Sequence, residues 1–346
     1  MSNVPPAAPL HDAIAALAHG RPLTAESVTA AFDVVMRGDA SPVQIAALLT
    51  GLRVQGETSD VVAGAARALR RAMVRLPLPD HGSIVDTCGT GGGAVSTFNI
   101  STAAALVAAG AGVRIAKHGN RSSTSRSGSA DVLEALGVAI DADVPVMEHA
   151  FRSAGIVFMF APRMHPAMRH VGPVRRELAI PTLMNVIGPL ANPASAGRQV
   201  VGVADESRLA TMAHALATLG TEHALVVHGE PGMDEISPLG RTLVMEVRGD
   251  TVTEWVIEPE SIGCRARDAS ELIGGSPAEN AELVVACLSG DAPAGAVAAV
   301  VANAGAAIYV AGVASSLREG IDAARAAIAD GSATAALERL RLAMPR

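Results

Sequence analysis

The residues best suited to chemistry lie between Asp86 and Thr102, where the chain reads Asp-Thr-Cys-Gly-Thr-Gly-Gly-Gly-Ala-Val-Ser-Thr-Phe-Asn-Ile-Ser-Thr. Gly89, Gly91, Gly92 and Gly93 are followed by Ser96, Thr97, Asn99, Ser101 and Thr102. Ile84-Val85 before this stretch predicts the end of a buried strand, and Ala103 to Ala109 after it an apolar helix. A strand, a glycine turn and a helix start make an anion site: glycines let the backbone approach, and the helix N-terminus offers unpaired N–H groups. The hydroxyls and the amide could add donors or ligate a metal.

Two common phosphate loops do not fit. A Walker loop ends in Gly-Lys-Ser/Thr, and no lysine stands here. The Rossmann spacing is met formally as Gly89-x-Gly91-x-x-Ala94, but that motif wants an acid about 20 residues on. From Thr87 to Ala130 there is no Asp or Glu; the interval carries Arg114, Lys117, Arg121 and Arg126 instead, which predicts a polyanion. Cys88 has no flanking histidine motif and reads as a packing residue rather than a nucleophile. A second reactive pair, Asp234-Glu235, follows the strand-like Ala224 to Gly229. Adjacent acids in such a turn suit Mg²⁺, which takes carboxylates, waters and phosphate oxygens together.

Elements must position these groups. Helices are expected at Leu10 to His19, Thr24 to Met36, from Ser41-Pro42-Val43-Gln44 through Leu52, and from Ser59 or Asp60 to about Met73. The third has Ser as N-cap, Pro at the first helical position and Gln at the capping-box position. Four helices make a small all-α unit, and Leu76 to Pro79 is its linker. Beyond residue 82, strands expected at 83–86, 112–116, 156–159, 199–203, 224–228 and 243–247 alternate with helices. One of these helices is Asp131 to Gly137, after a polar loop from Ser122 to Ser129. The fold class is therefore α/β: a largely parallel sheet covered by helices on both faces, with a smaller all-α N-terminal domain. Ligands should sit at the C-terminal strand edge, and Asp86 and Lys117 are both expected just after strands. Residues 249–274 are weakly patterned, support the sheet edge and receive no role. The C-terminal helices read as structural.

Composition excludes other classes. At 346 residues the chain is long enough for two domains. Its 49% hydrophobic content supplies a core, whereas 2% aromatics leaves little for base stacking. A net charge of −7 argues against a general nucleic-acid binder. Cys88, Cys264 and Cys287 are widely spaced and read as free thiols in a reducing, cytoplasmic compartment. The start, with Pro5, Pro6 and Pro9, lacks a basic segment ahead of an apolar one, so no signal peptide is expected. Ala292 to Leu317 is uncharged and long enough to cross a bilayer. Pro293, Asn303, Gly305 and Gly312 make two helices buried in a soluble core the better reading.

The stretches Asp86-Thr-Cys-Gly-Thr-Gly-Gly, Thr97-Phe-Asn-Ile-Ser-Thr102 and Lys117-His-Gly-Asn-Arg121 together resemble the anthranilate phosphoribosyltransferases of tryptophan biosynthesis, over nearly the whole chain. A second matching signature runs from Phe160 through His165, Arg169, Gly172 and Arg175-Arg176, then from Asn185 to Pro193. It departs at Ala179, Pro181 and Met184, where the family has glycine, arginine and an aromatic. The glycine loop also departs, reading Gly93-Ala94 where the family has Asp-Gly.

The resemblance implies transfer of the phosphoribosyl group of phosphoribosyl diphosphate (PRPP) to the amine of anthranilate. It implies PRPP binding by Gly89, Thr90, Gly91, Gly92, Thr97, Asn99, Ser101, Thr102, Lys117 and Ser129. Anthranilate would meet Gly89, His118, Asn120, His165 and Arg175, the last through its carboxylate. Mg²⁺ would be held by Ser101, Asp234 and Glu235. No residue is assigned as nucleophile, acid or base. Domain limits follow as 1–78, with a returning helical segment near 166–196, against 79–165 and 197–346. A homodimer through the helical domain is implied, with no nucleic-acid or membrane partner. Two alternatives are a pyrimidine nucleoside phosphorylase, whose Lys-x-Ser-Gly signature Lys117-His-Gly-Asn-Arg121 does not match, and a nucleic-acid-binding relative without activity.

Overall fold

A computed structural model describes residues 7–122 and 126–345. The N-terminal helices are α1 (Ala8–Ala18), α2 (Ala25–Arg37), α3 (Pro42–Gln55) and α4 (Ser59–Ala72). The Ser41 box closes reciprocally: Ser41 N–H donates to Gln44 Oε1 at 2.9 Å, and Gln44 N–H to Ser41 Oγ at 3.3 Å. Then follow β1 (Val85–Gly89), α5 (Ile100–Gly110), β2 (Ile115–Gly119), α6 (Ser129–Ala135), α7 (Val144–Ala154) and β3 (Ile156–Phe160). The short helices α8 (Ala161–Met164) and α9 (Gly172–Leu178) lead to β4 (Arg198–Gly202), α10 (Leu209–Thr218) and β5 (His223–Gly229). The strands β6 (Thr242–Arg248) and β7 (Thr251–Ile257) precede α11 (Pro277–Ser289), α12 (Ala294–Val310), α13 (Leu317–Ala329) and α14 (Ser332–Ala343).

The seven-stranded sheet has the order β3-β2-β1-β4-β5-β6-β7. The first five strands are parallel and the last two antiparallel, so the α/β expectation with an N-terminal helical unit holds. The chain builds β1, β2 and β3 outward and then returns to lay β4 beside β1. That reversal opens a crevice at the carboxyl ends of β1 and β4, where ligands of such sheets bind. Gly89 pairs with Gly202 there.

Three expectations need correction. Asp86 lies inside β1 and Lys117 inside β2, not after them. Both strands run about three residues beyond their apolar stretches, because parallel pairing with β4 and β3 continues through Gly89 and Gly119. Ala292 to Leu317 holds one helix, α12, and then a turn; α13 starts only at Leu317. Residues 251–257, expected to support the sheet edge, are the edge strand itself. Among the described residues no single helix is long and apolar enough to cross a membrane; only the α11–α12 pair reaches that composition, bent by 74°.

Alternate residues of β5 point into two cores. Leu225 and Val227 belong to the apolar cluster that also holds α5, α12 and α14, with α12 the helix packed on β5; Ala224 and Val226 join α10, the N-terminal helices and residues 167–191 in a second continuous cluster. The stretch after α4 runs alongside the chain from the end of α8 to Pro193, with Val74 N–H donating to Met164 O at 2.8 Å and Leu76 N–H to Pro193 O at 3.0 Å.

Candidate functional site

A cleft of about 690 Å³ opens at the switch point, within the size range of small-molecule sites. Cys88–Gly93, Val95–Thr102, Lys117–Ser122, Ser127–Ser129, Asn185, Asp234 and Glu235 line it. The cleft therefore gathers Gly89, Thr90, Gly91, Gly92, Thr97, Asn99, Ser101, Thr102, Lys117, His118, Asn120, Ser129, Asp234 and Glu235. His165 and Arg175 are not among its lining residues. Residues 123–125 of the Ser122–Ser129 loop lie outside the described part of the chain.

The glycine loop rests on the acid-bearing turn after β5. Ala94 N–H donates to Gly232 O at 2.8 Å, and Thr90 N–H to Gly202 O at 3.0 Å. Gly91 N–H donates to Asp234 Oδ2 at 2.8 Å. Gly202 is glycine because its backbone meets that of Asp234; an added Cβ would fall on the Asp234 carbonyl. The second acid faces the start of α5, where Ser101 N–H donates to Glu235 Oε1 at 3.1 Å. Both carboxylates thus sit where an anion would find backbone donors.

Burial raises the pKa of Asp234. Burial, and then the Asp234 charge, push Glu235 up to about 8. Among the described residues no group of three or more His, Cys, Asp or Glu gathers as a metal centre. A cation between Asp234 and Glu235 would draw its other ligands from water and phosphate oxygens, as Mg²⁺ does. Two undercompensated carboxylates at an anion-shaped cleft fit that ion.

Lys117 is only 3% exposed. Its ammonium donates to the Thr87 carbonyl, to Thr87 Oγ1 at 3.3 Å and to Ser101 Oγ at 3.3 Å. Burial lowers its pKa, while Asp86, Cys88 and Glu235 oppose that shift. Asp86 is fully buried, accepting from His118 N–H at 3.1 Å and Asn192 Nδ2 at 2.7 Å. It therefore ties β1, β2 and the returning segment together behind the cleft. The basic interval is not one patch. Arg114 lies over the Phe151 ring at 4.3 Å, and Arg121 pairs with Asp131 at 2.7 Å and Glu134 at 3.0 Å. Burial raises the Cys88 thiol pKa well above its ordinary value, which removes it as a thiolate nucleophile.

At the other end His118 and His165 pack with ring centroids 4.9 Å apart. Burial holds His118 well below the usual imidazole range and brings His165 to about 4, so both rings are neutral at pH 7. They form an uncharged wall, with His165 behind His118. Arg175 on α9 is half-buried, and burial lowers its pKa. Its guanidinium makes no hydrogen bond or ion pair with the described residues. The lining residues to which sequence reasoning gave no role are Val95, Phe98, Ile100, Gly119, Ser122, Ser127, Gly128 and Asn185, besides Cys88, which reads as a packing residue. Asn185 carries a readable signal, since it opens the second signature.

Residues 81–334 match the α/β domain of a glycosyl transferase family, and residues 11–73 match the helical bundle domain of that family. The chain is 51% identical over 330 residues to an anthranilate phosphoribosyltransferase of Rubrobacter xylanophilus, covering 95% of this chain and 96% of the relative. It superposes on the anthranilate phosphoribosyltransferase of Thermus thermophilus with a TM-score of 0.91 and 42% identity, over 96% of this chain and 99% of that one. The Saccharomyces cerevisiae protein of the same name, in complex with PRPP and Mg, gives a TM-score of 0.86 at 28% identity, over 97% of each chain.

Proposed function

The chain belongs to the anthranilate phosphoribosyltransferase family, and on that premise we propose that it transfers the phosphoribosyl group of PRPP to the amine of anthranilate. The bond from the anomeric carbon to the diphosphate oxygen breaks, with its electron pair leaving on diphosphate. The anthranilate nitrogen bonds to that carbon and gives up a proton to solvent. The neutral aromatic amine is already nucleophilic, so no activating base and no covalent enzyme intermediate are assigned.

The observation that carries this reading is the convergence in one cleft of the Gly91 N–H, the start of α5 and the Asp234-Glu235 pair. Gly89, Thr90, Gly91 and Gly92 cradle the diphosphate. Thr97, Asn99, Ser101, Thr102, Lys117 and Ser129 complete the PRPP wall. The Thr102 hydroxyl, buried with no hydrogen-bond partner among the described residues, supports that assignment. Asp234, Glu235 and Ser101 would hold Mg²⁺, which when bound would neutralise charge on the leaving diphosphate. Gly89, His118 and Asn120 orient anthranilate from the cleft lining with His165 backing His118, and Arg175, on α9 outside that lining and without a hydrogen bond or ion pair to the described residues, takes its carboxylate through a guanidinium fork. These residues position the amine and stabilise the leaving group rather than exchange protons. The test is anthranilate fluorescence, followed with and without PRPP and Mg²⁺. Loss of signal only with both supports the reading; no anthranilate consumed at any Mg²⁺ concentration ends it.

The proposal extends to organisation. Residues 1–78 with the returning segment near 166–196 work as the helical domain against 79–165 and 197–346. The chain pairs as a homodimer through that domain and works in the cytoplasm. Val43 and Val54 on α3, 78% and 83% exposed, support such pairing, which light scattering on the purified protein checks.

A further inference from the structure

Residues 268–280 have no part in the reading above, yet they brace the cleft from behind. Phe98 N–H donates to Leu272 O at 3.0 Å and Gly274 N–H to Ser96 O at 3.3 Å, while Thr97 and Ile273 form an isolated antiparallel bridge. Next, on the first turn of α11, stands Asn280, 2% exposed and outside the cleft lining. Its Oδ1 accepts from Gly275 N–H at 2.7 Å and its Nδ2 donates to Asn99 Oδ1 at 2.9 Å. Asn99 Nδ2 in turn donates to the Ser127 carbonyl at 3.1 Å.

The direction of this chain is forced. A backbone N–H only donates, so the Asn280 oxygen must face Gly275 and its nitrogen must face Asn99. A carbonyl only accepts, so the Asn99 nitrogen must face Ser127. Turning either amide sets donor against donor or acceptor against acceptor, and at Asn280 this happens in a buried place, where an unmet group is costly.

We propose that Asn280 is a positioning residue for the PRPP pocket. Acting through Asn99, it fixes the start of α5 against the Ser127–Ser129 wall, two linings that are 28 residues apart in sequence. The proposal rests on the reading of this cleft as the PRPP site. Nothing in the local pattern around Asn280 announces the role, because its partner lies 181 residues away.

The test is a double-mutant cycle on the full-length protein with Asn280→Asp, Asn280→Ala and Asn99→Ala. PRPP affinity is measured by calorimetry in Mg²⁺, alongside the KM for each substrate and the thermal midpoint. Asn280→Asp keeps an acceptor for Gly275 but turns a second oxygen on the Asn99 oxygen, so Asn99 must rotate and lose Ser127. PRPP affinity is expected to fall about tenfold, while the anthranilate KM stays within about twofold. In the Asn99→Ala background the same change should cost less than about twofold, since the residue it acts through is gone. Should Asn280→Ala lower the thermal midpoint by stranding Gly275 N–H, the Asp variant and the cycle still decide. If Asn99→Ala weakens PRPP binding and neither Asn280 variant does, the proposal fails and the PRPP site stands. Equal losses in both backgrounds also overturn it. An Asn99→Ala protein with full PRPP affinity removes Asn99 from the site and overturns the proposal, whereas a wild-type protein that binds no PRPP in Mg²⁺ ends the reading of the cleft itself.

Discussion

Gly93→Asp puts a carboxylate where this chain departs from the family's glycine loop. A Cβ at Gly93 would stand 2.9 Å from Gly232 O and 3.6 Å from Asp234 Oδ1. The new carboxylate would therefore lie near two acids whose ionised forms burial already disfavours. Two unit charges about 4 Å apart repel by about 4 kcal/mol at an effective dielectric of about 20. Gly93 is half-exposed, so that figure is a ceiling, and a third of it is already about tenfold in a binding constant. The charge also repels PRPP unless a further cation joins the site. The expected outcome is a rate about tenfold lower than wild type at low free Mg²⁺ and fixed, sub-saturating PRPP, with a steeper dependence on free Mg²⁺ as a further cation offsets the added charge. Rates are measured against free Mg²⁺ at fixed PRPP for wild type, Gly93→Asp and Gly93→Asn. The Asn variant carries the steric displacement from Gly232 without the charge. If all three profiles superimpose after scaling for overall activity, the electrostatic argument is wrong and Gly93 is a tolerated loop variant.

Arg175→Ala should raise the anthranilate KM about tenfold or more, the cost of a lost charge-assisted bond, and leave the PRPP KM nearly unchanged; equal effects on both KM values remove the assignment. Thermal stability should change little, because the guanidinium makes no hydrogen bond or ion pair with the described residues. Glu235 has a folded-state pKa of about 8 against an ordinary 4.5, so the folded state holds that proton more tightly. Its contribution to stability is full below about pH 4.5 and is lost as pH rises through about 8. Without Mg²⁺, wild type should lose thermal stability relative to Glu235→Gln across that window, and Mg²⁺ should restore it at pH 8; parallel melting curves from pH 5 to 8 contradict this. Gly202→Ala sets a methyl on the Asp234 carbonyl, and should cost several kcal/mol, on the order of a severe core change. A denaturant midpoint equal to wild type would show that the β4 backbone can yield there.

The site was legible where its signal is local. Gly89 to Gly93, the hydroxyls after them and Asp234-Glu235 each announce themselves within a few residues, and the topology brings them to one crevice. What stayed hidden depends on pairing and distance. The apolar run at Val113 to Ala116 ends before β2 does, because the register with Ile156–Phe160 carries the strand through Lys117 and His118. Residues 251–257 read weakly because an edge strand exposes much of its polar face. Arg121 looked like a phosphate ligand until Asp131 and Glu134 were placed beside it. Asn280 could not be read at all, since its meaning lies in the direction of an amide on another element.

The second apolar core has a consequence for how the chain is made. Its members run from Leu10 to Leu69, then from Ala167 to Ala191, then from Val201 to Val247. The helices that leave the ribosome first cannot bury their inner faces until Leu216 of α10 has been translated, roughly 150 residues after Leu69, or about 7–30 s at ordinary elongation rates. Until Ala167 to Ala191 arrive, Phe32, Leu48, Leu49 and Val62 have only the apolar residues of the N-terminal helices for cover, and α4 still waits for α10 after that. Nascent-chain lengths that stop short of α10 should therefore remain protease-sensitive and hold chaperones, and protection of the first helices should arrive together with the α10 segment.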